Sequence, residues 1–372
     1  MRLATHSDKL ERWLGTATVE QISASMKDWY GPPIAVGNVP GAVFVCRGGD
    51  FRGRITAGQV APLIDYYEQR LKRIFRNASR RQLTQLNTGF SSVSDLILEA
   101  TQGGKSRKFH MHKVGVTHVV GASYSHWGYG SSPSAGAAAS AAPGGDAPTS
   151  VTLGAYPFTN PAGTDTQHFV DASIMADLGP SQLLLYDRIF QVAKTMNSNP
   201  TESVTGVPTR YQSSTPGLAD FAGGNFAFPE VFTVLAAGAH NWTVCKYRNE
   251  LGTDAVSFPS TAGVSAAAAA RIDLPVNSWF MPLAASDTGV KDLDQLQYDT
   301  SLIATGAINW VIGHPIVFMP VPLANAMQTI DGIMTAFNLV RIFNDAALAT
   351  LDVMKSNTTA TTWNGIFTTV AG

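Results

Sequence analysis

Two rhythms of hydrophobic positions divide this chain. The first part is dominated by helical spacing. Thr18-Val19-Glu20-Gln21 has the form of a capping box, and Ile22, Met26 and Trp29 follow at intervals of four and three before Gly31-Pro32-Pro33 stops the run. A helix this short is marginal alone, so its apolar stripe has to dock on something. A second box, Thr56 to Gln59, opens the clearest element. Val60, Leu63, Ile64, Tyr67, Leu71, Ile74, Phe75 and Ala78 hold a 3.6-residue period, with Pro62 in the first turn, where a missing amide costs little. The spacing predicts a helix over 57–83, a rod of roughly 40 Å. Between the two helices, Ala42 to Cys46 and Phe51 to Ile55 flank Arg47-Gly48-Gly49-Asp50 and predict an extended hairpin.

Beyond residue 93 the rhythm changes. Val93, Leu96, Ile97 and Leu98 are apolar, and Phe109 to Tyr124 alternates, placing His110, His112 and His118 on one face of a strand. Residues 130–150 contain no large apolar side chain and read as a long exposed loop. Pro180 to Met196 is apolar nearly all round and predicts a buried helix, ended by Asn197-Ser198-Asn199-Pro200. Residues 204–320 read mainly as strands. Trp242 to Tyr247 and Ala255 to Phe258 form a hairpin, and Ser278 to Leu283, Ala307 to Gly313 and Pro315 to Pro322 are extended. Asn338 to Phe343 is expected as strand, Asp345 to Lys355 as a short helix, and the Thr-rich tail from Thr358 to Val370 as strand.

Composition narrows the classes. Of 372 residues 45% are hydrophobic but only 14% are charged, against about 25% in an ordinary domain. An apolar fraction of that size fills a core, which argues against disorder. The two cysteines, Cys46 and Cys245, rule out a disulfide scaffold and read as small core residues. The most apolar stretches are short and broken by proline, below the roughly 20 residues that span a bilayer, so no membrane partner is expected. The opening residues do not form a secretory signal.

The net charge of −1 conceals a segregation. Residues 1–120 hold 17 Lys+Arg and 9 Asp+Glu, and residues 121–372 hold 9 and 18. That pattern suits a contact with nucleic acid or an acidic partner, or head-to-tail contact between identical chains, or is chance among exposed residues. The densest basic feature is one face of the 57–83 helix, carrying Arg70, Lys72, Arg73, Arg76, Arg80 and Arg81. Such a face is either simply solvated, the more ordinary case, or meets phosphates, and then without reading bases, because no reader motif accompanies it. Ile22, Met26, Trp29, Phe44 and Phe51 are the candidate docking side chains between subunits. Sites of chemistry are scarce. No nucleophile elbow, phosphate loop, dinucleotide fingerprint or zincin motif occurs. His110, His112, His118 and His126 form the one cluster that suggests metal, but no Asp or Glu lies between Glu99 and Asp146 to complete it. No catalytic residue and no cofactor is expected.

The order of elements resembles the tailed-bacteriophage major capsid protein family: arm with docking helix, extended hairpin, long basic spine helix, then strands. The resemblance implies an α+β fold with an N-terminal arm, an extended hairpin loop, a spine helix and a strand-rich second half. It divides the chain into arm and extended loop (1–55), spine and peripheral-type region (56–129), Ala/Gly/Ser-rich loop (130–150) and strand-rich body with an axial-type region (151–372). It implies a structural virion protein, not an enzyme, assembled in the host cytoplasm. Its partners would be identical subunits in hexamers and pentamers, packaged double-stranded DNA without sequence specificity, and a decoration protein. The rival readings are another virion component (tail, baseplate, decoration or jelly-roll coat protein), a His-cluster metal enzyme in which Asp171, Asp177 or Asp187 takes part, and a non-specific nucleic-acid-binding protein.

Overall fold

The computed structural model describes residues 42–43, 55–56, 90, 93–101, 104–197, 200–299, 305–332 and 339–372. The chain divides into two compact units, Met1–Ala78 and Ser79–Gly372. In the first, β1 (Ala42–Val43) pairs antiparallel with β2 (Ile55–Thr56), Ala42 opposite Thr56 and Val43 opposite Ile55, which is the pairing expected of the hairpin. The helices expected around 22–29 and over 57–83 lie outside the described residues.

The second unit is built from strands, with α1 (Val93–Thr101) the one helix among the described residues. In chain order they are β3 (Ser106–Val114), β4 (Tyr124–Ser125), β5 (Ser131–Ser132), β6 (Gln167–Ala176), β7 (Ser181–Thr195), β8 (Glu202–Ser203), β9 (Phe226–Thr233), β10 (Asn241–Trp242), β11 (Lys246–Asn249), β12 (Val256–Ser257), β13 (Thr261–Ala262), β14 (Val290–Leu296), β15 (Ala307–Val321), β16 (Gln328–Asp331), β17 (Arg341–Ile342), β18 (Leu348–Asp352) and β19 (Thr362–Ala371). A five-stranded sheet, β4-β18-β7-β15-β9, forms the middle layer. A six-stranded sheet, β16-β6-β19-β3-β5 with β17 also on β6, packs on one side, and the four-stranded β12-β11-β14-β8 on the other.

Two cores follow from this layering. Phe109, Met111, Ile174, Trp363 and Phe367 of the six-stranded sheet meet Leu183, Leu185, Val317 and Met319 of the middle sheet. On the opposite face, Leu184, Tyr186, Phe228 and Trp310 meet Tyr247, Val290, Leu293 and Leu296. Neighbouring leucines of β7 thus serve different cores.

That explains the first correction. The run from Pro180 to Met196 is a 15-residue strand, not a helix. With both faces covered it has no solvent side to carry polar residues, so the period of two disappears and the run resembles a buried helix. Pairing with the equally long β15 along Ser181–Thr195 decides in favour of strand. The helix expected over Asp345 to Lys355 is likewise the fully buried strand β18, wedged between β4 and β7. Ser278 to Leu283 forms no strand, although Met281 is buried in the core and its amide bonds Ala227 O at 2.8 Å. The expected strands at 307–313 and 315–322 are one strand, β15. Its Pro315 and Pro320 fall beyond Gly313, where pairing with β9 ends, so neither removes a hydrogen bond from a doubly paired stretch. The hairpin of β11 with β12 and the C-terminal strand β19 are as expected.

Apart from the two-residue strand β5, the 130–150 segment is a loop, but not one standing free in solvent. Ala139 N donates to Asn309 Oδ1 at 3.1 Å, Asp146 and Gln191 exchange backbone hydrogen bonds of 2.7 and 2.9 Å, and Ala193 N donates to Ser140 O at 2.8 Å. Small residues let the backbone lie flat there: a Cβ on Gly136 would overlap the Trp127 indole.

Candidate functional site

Arg70, Lys72, Arg73, Arg76, Arg80 and Arg81, and the docking candidates Ile22, Met26, Trp29, Phe44 and Phe51, all lie outside the described residues. The body itself distributes charge in a way the sequence does not announce. Of the nine Lys and Arg of 121–372, four are buried and five half-buried; of the eighteen acids, six are buried, ten half-buried and two exposed. Twelve acids against five cations thus reach solvent at least in part, an anionic surplus, and Arg188, Lys194, Arg210 and Lys355 are the cations held fully inside.

The inside positions form a seam through the middle sheet. Asp187 and Arg188 stand where the β7–β15 register slips by one residue, between Ile312 and Gly313. The bulge turns adjacent side chains to new directions. The Arg210 guanidinium grips both Asp187 oxygens at 2.8 Å, and Ala347 N donates to Asp187 Oδ1 at 2.9 Å. Arg188 donates to Glu230 Oε2 at 2.6 Å and to Gln191 Oε1 at 2.7 Å, and its guanidinium lies 4.4 Å over the Trp127 ring. Burial pushes the Asp187 carboxyl up from its ordinary range, and Arg210 pulls it back only in part. Burial also opposes the Arg188 charge, and Glu230 overrides it. Arg210 Nη2 reaches Pro148 O at 3.0 Å, so the seam also holds the end of the small-residue loop. The hydrogen bonds of this seam run to the protein's own groups, with only Arg188 Nη1 and Glu230 Oε1 among its charged atoms making none, so the arrangement is a clamp. The signal that could have revealed it is a pair of opposite charges, Asp187-Arg188, inside an otherwise apolar run.

The histidine cluster is dispersed. His110 and His112 share the outer face of β3, where His112 Nδ1 is 2.8 Å from Asn364 Oδ1. The strand ends at Val114, so parity does not carry to His118, which is buried in the following loop beside Asp352, 3.8 Å from Nε2 to Oδ2. His126 is buried against Thr350 Oγ1 at 2.9 Å. Asp177 accepts from Thr362 N at 2.8 Å and Asp187 from Arg210; Asp171 lines a groove of 330 Å³ between α1 and the six-stranded sheet. The structure brings none of these three carboxylates to the histidines in a hydrogen bond or ion pair given by its geometry. Among the described residues no group of three or more His, Cys, Asp or Glu gathers to hold a metal.

Large apolar side chains also reach solvent. Val116, Val119, Val120, Val276 and Met354 are exposed around the loop following β3, where Val276 stands against Gly121 and Met354 N donates to Ser123 Oγ at 3.1 Å. Val151 is 89% exposed and Leu153 63%, on the turn after the small-residue loop. Trp279 bridges the core to the exposed Phe280 and Phe318, at ring separations of 4.5 and 5.4 Å.

No family model matches the chain, and no curated protein matches it. Three solved structures of viral origin are similar to it at a low level. The crystal structure of the infectious bursal disease virus VP2 subviral particle shares 10% identity over 71% of this chain and 80% of that one, with a TM-score of 0.15. The structure of the infectious bursal disease virus Gx strain shares 8% over 72% and 80%, again at 0.15. The T=1 particles derived from infectious bursal virus share 9% over 72% and 78%, also at 0.15. A likeness at this level carries no argument about fold or activity.

Proposed function

We propose that this chain is a structural virion protein whose identical copies assemble into a closed icosahedral shell around DNA. The observation that carries this reading is the surface of the body. Large aliphatic and aromatic side chains stand in solvent at several loops, while among the charged residues of 121–372 that reach solvent acids outnumber cations, Arg188, Lys194, Arg210 and Lys355 being buried in internal pairs. Exposed apolar groups gathered in patches mark contact surfaces, and interface cores are depleted of charge. Heterologous contacts between such patches close into rings and shells. With an anionic body, contact with packaged DNA falls to the residues before 121, above all the basic stretch from Arg70 to Arg81.

Sedimentation and negative-stain electron microscopy of the purified full-length chain test this. Closed particles of uniform size are expected. A monomer at every concentration and salt tested would sink the reading. The charge-reversed variant Arg70→Glu/Arg73→Glu/Arg76→Glu is expected to form shells that retain less DNA; unchanged filling would leave that basic stretch without a DNA role.

A further inference from the structure

One buried cluster takes no part in the seam. Asp352 ends β18, and Lys355 follows three residues on, past Met354, whose backbone is left-handed at φ 49. Both side chains are fully buried, with Nζ 3.4 Å from Oδ2. Neither carboxylate oxygen makes a hydrogen bond, and nor does the lysine Nζ. The corner is sealed by backbone hydrogen bonds from Gly115 N to Thr361 O, Gly121 N to Lys355 O and Lys355 N to Ala122 O, at 2.9, 2.7 and 3.0 Å. Two charges held out of water by one contact, with no further hydrogen bonds, are the case in which desolvation outweighs the Coulombic gain. Joining the two groups covalently removes both charges.

We propose that Lys355 and Asp352 condense within the folded chain into a side-chain amide. The ammonium first passes a proton to the carboxylate. Burial favours that neutral couple, since it pushes the Asp352 carboxyl up to about 6, against the pull of Lys355, and lowers the lysine. The Nζ lone pair then attacks Cγ. The N–C bond forms, the C–OH bond breaks, and the hydroxyl leaves with the amine proton as one water. No oxidant or second reactant is needed.

Two neighbours fit this step. His118 Nδ1 is 3.3 Å from Thr359 O, and because a carbonyl only accepts, Nδ1 carries the proton and Nε2 is left bare. That lone pair, 3.8 Å from Oδ2, can pass the amine proton to the leaving oxygen. The Trp363 indole N–H has no hydrogen-bond partner and lies close enough to the carboxylate to favour its charge, which places a donor beside the oxygen that turns anionic during attack.

The test is mass spectrometry of the unaltered full-length protein after denaturation and trypsin. The expected peptide spans Lys355 uncut, is lighter by one water, and fragments with residues 352 and 355 joined. A peptide of full mass ending at Lys355 would overturn the proposal. Lys355→Arg is expected to restore the full mass of that region. His118→Gln, refolded and sampled with time, is expected to lose water at least tenfold more slowly; loss at the unaltered rate would overturn the assignment of the base.

Discussion

β3 and β7 are strands of similar pairing but opposite legibility. In β3 the buried Phe109, Met111 and Lys113 alternate with the exposed Lys108, His110, His112 and Val114. In β7 nearly every position from Leu183 to Ala193 is buried. The difference is the number of layers above them. An outer sheet keeps a solvent face and shows the period of two, whereas a middle sheet has two dry faces and shows none. The same difference inverts the meaning of a polar residue. Lys108 on β3 sits in water, while Asp187, Arg188 and Gln191 on β7 are held by partners supplied from other elements.

The largest expected effect comes from breaking that inversion. Arg188→Ala leaves Glu230 buried without its cation, and urea unfolding should register a loss of about 3–5 kcal/mol. Lys105→Ala, which removes a pair with Asp165 that is 41% and 30% exposed, should cost no more than about 1 kcal/mol. Equal losses would erase the distinction between the layers. The double variant Arg188→Met/Glu230→Leu should recover much of the stability, because it removes both charges together.

Packing gives the next step down. Leu184→Ala on β7 empties space in a core that receives side chains from two sheets, at an expected cost of about 2–5 kcal/mol. Ile366→Ala on the outer face of β19 should cost less than about 1 kcal/mol. Paired denaturation curves check both, and a similar shift in midpoint for the two would contradict the layered arrangement.

These contrasts also mark how much was legible in the residues alone. The β11–β12 hairpin was readable because its turn chemistry and its pairing are local. β3 and β19 were readable because each keeps a wet face. β7 and β18 were not, since their strand character comes from partners more than 100 residues away in β15 and from β4, which no window around them contains. The small-residue loop could be recognised as a loop, but not as one laid against Gln191 and Asn309. Of the candidate site, the charge segregation was visible as a count. That Arg188 and Arg210 are buried in pairs was not, because Glu230 and Arg210 find Arg188 and Asp187 only through the sheet.

Acid should act through the same layering. Burial holds the His314 imidazole down to about 3 in the middle sheet, and burial followed by the Arg341 charge holds His168 down to about 4 in the six-stranded sheet. Both stay neutral in the folded chain, while the unfolded chain takes up protons below about pH 6.5. Their contribution is therefore present above that pH and lost as pH falls toward 4, by about 1.4 kcal/mol per pH unit for each histidine. His240 runs the other way. Burial opposes its charge, Asp273 at 2.8 Å prevails, and its stabilisation is lost as pH rises through its raised folded value. Thermal midpoints between pH 7 and 4.5 should fall less steeply for His314→Gln than for the unaltered chain. An unchanged slope would show that His314 is not kept neutral.

The smallest expected effect on stability is the one that bears most on assembly. Val151 and Leu153 lie on the turn that leaves the small-residue loop, where they make little of the fold. Replacing both with Ser should move the unfolding midpoint by no more than about 0.5 kcal/mol, because surface positions away from caps, pairs and cores rarely do more. If copies of the chain cover this turn, the same variant loses the apolar area buried at each contact, and the loss recurs at every contact of a closed shell. Particle yield by sedimentation should then fall while the monomer stays folded by circular dichroism. The combination separates an interface from a core: Leu184→Ala lowers both measurements, and Val151→Ser/Leu153→Ser lowers only the yield. Full particle yield from the serine variant would remove this turn from the contact surface and leave the exposed aliphatics around Val119 and Val276 to carry it.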